Sequence, residues 1–239
     1  TPLLGIVDTA VVGQLGDAAL LAGLAAGAII FDVVFSTFNF LRSGTTGLVA
    51  QAFGRGDLEA QRLTLMRAMV LAIGIGATIA LLSPLISRVG QAFIGADAAV
   101  SAAMNDYVRI RCLGAPFSMM NYALLGYVLG RGEGNLGLAL QIILNFANIV
   151  LSIVFGLWMG WGVAGVALGT VIGEGVGMVV GLVIVLRRFR GQPAISRSQL
   201  FDPVGFKAML ALNRDIMIRS FALLAAFALF TRQGAQLGA

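Results

Sequence analysis

Three carboxylates, Asp8, Asp32 and Glu174, stand inside runs of sequence that are otherwise apolar. A carboxylate drawn out of bulk water can take up and release a proton near neutral pH. With amide or hydroxyl oxygens beside it, it can also hold a sodium ion. The polar residues at comparable positions are Arg42, Asn121, Asn145, Asn148 and Ser152. Asn145 and Asn148 lie three residues apart and can share a helix face, where amides bridge helices or coordinate an ion. Asp32 and Arg42 are ten residues apart, about 15 Å along a helix, too far for a direct pair. Glu174 reads equally as a second proton-titrating group or as the partner of Arg42 or another basic residue. Arg109 and Arg111 read as outer-side residues that snorkel toward the interface.

Those readings need a bilayer around the residues, because a charge at membrane depth is costly and is kept for function or for a partner. The composition supplies that condition. Hydrophobic residues make up 59% of the chain and charged residues 11%, with a mean hydropathy of +0.94. Soluble domains carry about a quarter charged residues, so this chain cannot cover a soluble surface. The fold class that follows is an all-α polytopic membrane protein. Histidine is absent and Cys112 is the single cysteine. A His-based metal site, a Ser/His or Cys/His catalytic pair and a disulfide within the chain are therefore excluded. The expectation is no catalytic residue, no metal and no cofactor.

About 20 apolar residues span a bilayer as a helix. Segments of that kind fall near 18–51, 64–87, 104–129, 136–159, 163–186 and 208–237, after a shorter first one at 1–14 that reads as truncated. Gly54-Arg-Gly-Asp57, Gly130-Arg-Gly-Glu-Gly134 and Trp158-Met-Gly-Trp161-Gly162 carry turn chemistry between them. Residues 187–207 form the longest polar stretch, with a short amphipathic helix expected at about 204–212. The glycines at 165, 169, 173, 177 and 181 repeat every four residues and predict close helix packing. Basic residues gather in the loops near 52–62, 130–135 and 187–207, whereas the opposite loops carry Arg88 and little else. The positive-inside rule puts the first set in the cytoplasm. The net charge of +5 is thus read as a bias toward the inner leaflet, with no nucleic-acid partner; the partners expected are the lipid bilayer and a small-molecule substrate.

The order of several short motifs resembles the multidrug and toxic compound extrusion (MATE) transporters, in their DinF-like branch. The motifs are Pro2-Leu3 with Val7-Asp8-Thr9, Gly13 and Gly16; the run from Phe40 through Arg42 and Gln51 to Asp57; Ala115-Pro116; Asn121-Tyr122; Gly126 to Gly130; Asn148 to Leu151; Gly162 to Thr170; and Asn213 to Arg219. Each is weak alone, and together they cover nearly the whole chain. The resemblance implies two six-helix lobes around a cavity that opens to alternate sides, and export of organic compounds driven by a proton or sodium gradient. On that pattern residues 1–187 are the N-lobe, 188–207 a cytoplasmic inter-lobe linker, and 208–239 the seventh helix, which starts the C-lobe. Transport then needs the rest of the C-lobe, so the 239-residue chain alone is expected not to transport. The membrane implied is the bacterial inner membrane.

Asp8 matches the family's first-helix carboxylate, implicated in cation coupling, and Asn148 a polar residue near it. Where the family often has an aspartate four residues later, this chain has Ser152. The missing charge favours protons over sodium. Phe230 stands where a repeated first helix would place the counterpart of Asp8. Asp8, Asn148 and Glu174 are the candidate cation-coupling residues; Asp32, Arg42, Asn121, Asn145 and Ser152 are candidates for the cavity wall or for helix contacts. A lipid or polysaccharide-precursor flippase of the same superfamily is the alternative function, and an intramembrane enzyme ranks below it.

Overall fold

A computed structural model describes residues 2–219. Asp17, Asp57 and Asp97 do not face the bilayer interior. Each caps a helix, its carboxylate accepting from the first-turn amides of Ala19 (2.8 Å), Ala60 (2.9 Å) and Val100 (2.9 Å). These caps satisfy amide groups that a helix start leaves orphaned. They open α2 (Ala18–Ser36), α4 (Leu58–Leu81) and α6 (Ala98–Leu113). The other elements are α1 (Pro2–Gly13), α3 (Asn39–Gly54), α5 (Ser83–Ile94), α7 (Ala115–Gly130), α8 (Gly134–Ile153), α9 (Gly162–Arg188) and the short α10 (Arg197–Leu200). A helix over residues 203–219 follows.

Among the described residues, four runs are long and apolar enough to cross a membrane: Ala18–Gly54, Leu58–Leu81, Gly134–Trp158 and Gly162–Arg188. The pair α6–α7 makes a fifth, bent by 51° at the junction before Ala115-Pro116. Pro116 lacks an amide hydrogen and its ring excludes a straight helix there. Large apolar side chains such as Ile29, Val33, Leu138 and Phe146 point outward, as a lipid-facing surface requires. The turns after α3 and α7 share one construction. Gly56 and Gly132 adopt φ of +68° and +77°, open to glycine. The next residue donates back across the helix end, Asp57 to Ala52 O and Glu133 to Val128 O.

The third segment begins at Leu58, six residues before the expected 64, and ends at Leu81. Asp57 sets that start by capping. The rest of the expected span is a separate helix, α5, broken off by Pro84 near its first turn. Leu85, Val89 and Phe93 recur every four residues on the exposed face of α5, and Ser87 on the other face donates to Asn105 (2.7 Å). Ile79, Leu81, Leu82, Leu85 and Ile86 carry the apolar run across this break, so composition did not mark it. The expected helix at 204–212 is the start of the longer helix 203–219, opened by Asp202, which accepts from Gly205 N (2.7 Å). Phe230 and the seventh helix beyond 219 lie outside the described residues.

The glycine ladder packs against α8 as its spacing predicts. A Cβ on Gly169 would lie 2.7 Å from Ser152 N, and one on Gly173 would lie 2.8 Å from Asn148 N. Glycine is what lets α8 and α9 approach until the polar atoms of one reach those of the other. At the arginine-rich end of the bundle, Glu133 ties α7–α8 to the end of α9, accepting from Arg131 Nε (2.9 Å) and Arg188 Nη1 (2.8 Å). Partial burial would raise the Glu133 carboxyl, but the bonds from Arg188 and Arg131 outweigh it and hold it below the usual carboxylate range.

Candidate functional site

Asp8 sits in the middle of α1, and α8 and α9 close over it, leaving it 3% exposed. Its Oδ1 accepts from Ser152 Oγ (3.3 Å) and its Oδ2 faces Thr170 Oγ1 (3.5 Å). Thr170 lies one turn after Val166, whose carbonyl is 3.1 Å from the same hydroxyl. A threonine hydroxyl has one proton, so Asp8 and the Val166 carbonyl compete for it. Asn148 Nδ2 donates to Thr170 Oγ1 (2.6 Å). Asn148 Oδ1 is buried and makes no hydrogen bond. The result is a cage of oxygens around one buried carboxylate, with long bonds at Asp8 and one unused acceptor.

Asn148 therefore reaches Asp8 through Thr170, not by a bond of its own, and Ser152 is a direct partner of the carboxylate. Thr170 is the member that the sequence reading missed. A helical threonine can satisfy itself on the carbonyl four residues back, so its presence gave no signal. Its place at the end of the motif Gly162 to Thr170 is the one clue available.

A second cluster involves the other deep carboxylate. Arg111 Nη1 on α6 pairs with Glu174 Oε1 on α9 (3.0 Å). Ser118 Oγ on α7 makes a short bond to Glu174 Oε2. Asn121 Nδ2 donates to the Glu174 backbone carbonyl (2.8 Å). The Arg111 guanidinium also lies over the Phe31 ring, 3.9 Å from its centroid. Three helices converge here, so the pair clamps the bent α6–α7 span to α9. This meets one expectation and corrects another. Glu174 pairs with a basic residue, which is Arg111 and not Arg42. Arg111 is 5% exposed and internal, while Arg109 alone is exposed. The error came from starting the fourth span at 104. With α6 beginning at Ala98, Arg111 lies about 20 Å down the helix.

Both clusters border one cavity of about 930 Å³. Asp8, Asp32, Arg42, Asn121 and Glu174 line it. Asn148 and Ser152 stand fully buried behind the wall, and Asn145 is half-buried on α8 away from the lining. Ser36 and Asn39 also line it. With Asp32 and Arg42 they form a polar track at positions i, i+4, i+7 and i+10 along α2–α3, a spacing the sequence displayed. Among the described residues no group of three or more acidic, histidine or cysteine side chains is placed to hold a metal ion.

DNA damage-inducible protein F of Escherichia coli (strain K12) is 40% identical over 239 residues, which are 99% of this chain and 52% of that protein. The solved structure of a MATE protein in its bent conformation superposes with a TM-score of 0.80 at 21% identity, covering 94% of this chain and 50% of that one. A multidrug resistance MATE transporter of the MOP superfamily, solved facing outward and facing inward, gives a TM-score of 0.71 in both states at 24% identity, over 88% of this chain. The chain spans about half the length of these relatives. The family model MatE matches residues 1–158, two-thirds of the sequence, and the chain belongs to the MatE family of multi-pass membrane transporters.

Proposed function

We propose that this chain forms the N-lobe of an antiporter that exports drugs or other amphipathic organic compounds by alternating access, driven by a proton. In that reading residues 1–187 form the lobe, 188–207 the cytoplasmic linker and 208–239 the start of the second lobe. The arginine-rich end faces the cytoplasm of a bacterial inner membrane, as the positive-inside rule requires. The driving ion acts as a co-substrate, with no resident cofactor and no catalytic residue.

One observation carries the proposal: Asp8, buried at the cavity wall, is held only by hydroxyls and has no ion-pair partner among the described residues. Glu174, by contrast, is already neutralised by Arg111. Protonation removes the acceptor charge that Ser152 and Thr170 serve and frees the Thr170 proton for Val166. The contact between α1 and the α8–α9 pair then loosens, and the cavity wall moves. Ser152 offers no negative charge to retain sodium, which favours the proton. The test is dye efflux from vesicles holding the full-length protein under imposed gradients. Asp8→Asn should insert normally and lose gradient-driven efflux; undiminished efflux by that variant would refute the role.

A further inference from the structure

Arg67 lies nine residues after Leu58, which opens α4, and so about 14 Å along that helix. Its side chain is 15% exposed, and a guanidinium withdrawn from water needs partners. They come from the polar stretch after α9. Arg67 Nη2 donates to Gln199 O (2.7 Å) and Arg67 Nε to Leu200 O (3.1 Å). These are the last carbonyls of α10, left without partners where that helix ends. Across the joint that follows, the same Nη2 lies 3.9 Å from Asp202 Oδ2, and Asp202 opens the helix over 203–219 by accepting from Gly205 N. Gly205 touches the guanidinium: a Cβ there would stand 2.1 Å from Nη1. One side chain of α4 thus grips both sides of the joint between α10 and the next helix. Two further ties reach the same stretch. Arg62 Nη1 donates to Pro193 O (2.6 Å), and Gln199 Nε2 to Glu59 Oε1 (2.8 Å).

Residues 189–202 would reach about 45 Å if extended, ample slack for two bodies to part. The ties to α4 remove that slack. Farther on, the helix over 203–219 rests on α3 by a different kind of contact. Asn213 is 3% exposed against Gly44, and neither of its amide atoms makes a hydrogen bond. A buried amide without a partner opposes the contact that buries it, so this seat parts more readily than the joint at Arg67. Resting on the reading above that residues 208–239 begin a second lobe, we propose that Arg67 is the pin between the lobes. The linker stays fastened to α4 through the transport cycle, and the helix over 203–219 leaves α3 by turning about the Arg67 grip. Arg67 is a positioning residue, and its planar fork is what holds two successive carbonyls at once.

The test has two arms, both on the full-length protein. In the first, hydrogen exchange is read by mass spectrometry in lipid nanodiscs. Arg67→Gln should speed exchange at the amides of 199–205 by about tenfold, the worth of a hydrogen bond to a charged group. Amides of α8 and α9 should keep their rates, which also reports that the variant is folded. Arg67→Lys should recover only part of the protection. The second arm keeps Arg67 and reads gradient-driven efflux. Glu59→Cys/Gln199→Cys, joined by a short bis-maleimide, ties the linker to α4 for good and should leave efflux unchanged. Cys112 is buried and does not compete for the reagent. A Cβ on Gly44 would lie 3.2 Å from Asn213 Cγ, close enough for a disulfide between cysteines at the two positions. Oxidised Gly44→Cys/Asn213→Cys should stop efflux, and reduction should restore it. Unchanged exchange in Arg67→Gln, arrest by the bis-maleimide, or transport by the oxidised pair would overturn the proposal. No efflux by the unaltered protein would instead sink the transport reading, and the exchange arm would still decide whether Arg67 holds the joint.

Discussion

The two deep carboxylates are handled in opposite ways, and the difference decides what each can do. Glu174 is balanced by a guanidinium and a hydroxyl, so its charge is built into the contact between three helices. Asp8 has only hydroxyl partners, at 3.3 and 3.5 Å, so no cation among the described residues is paired with its charge. Breaking a buried pair by removing one partner strands the other charge. Arg111→Gln or Glu174→Gln should therefore cost about 3–5 kcal/mol each, read as a fall in Tm of the detergent-solubilised protein. The double variant Arg111→Met/Glu174→Leu should cost less than either single change, because no charge is left unpaired. Asp8 was legible in the sequence because it interrupts an apolar run alone. Arg111 was not, because a shift of six residues in where α6 begins turns a rim position into an internal one.

At the scale of elements, the close approach of α8 and α9 is what builds the cage around Asp8. Gly169 and Gly173 bring the backbones together at Ser152 and Asn148, the residues that face Asp8 and Thr170. Gly169→Leu should push the helices apart, cost about 1–3 kcal/mol as overpacking does and reduce gradient-driven efflux with it. Gly47, on α3, has open space where a Cβ would stand. Gly47→Ala should be neutral or stabilise by up to about 1 kcal/mol, since alanine is the better helix former; thermal unfolding of the two variants side by side checks the contrast. The ladder was readable because a four-residue period is a property of one helix. Where α5 separates from α4 was not, because a proline one turn into an apolar stretch is compatible with either a kinked span or a new helix.

For the whole molecule, the uneven distribution of arginine is the feature with the most reach. It fixes which end of the bundle holds the loops at 55–57, 131–133 and 189–196, and it predicts their side. Cys112, the single native cysteine, is 1% exposed, so it need not be removed for labelling. In the full-length protein in intact cells, Arg88→Cys should react with an impermeant maleimide and Gln192→Cys should react only after the membrane is opened; the reverse pattern would invert the topology. Composition determined the class and helix period the packing face of α9, because these depend on each stretch of chain by itself or on the bilayer around it; the order of the motifs carried the resemblance to the family. Only the tertiary structure decided that Thr170 joins Asp8, that Arg111 takes Glu174, and that Asp32 and Arg42 are left facing one cavity. Those are choices among partners far apart in sequence, made by how closely the helices pack, and no local pattern records them.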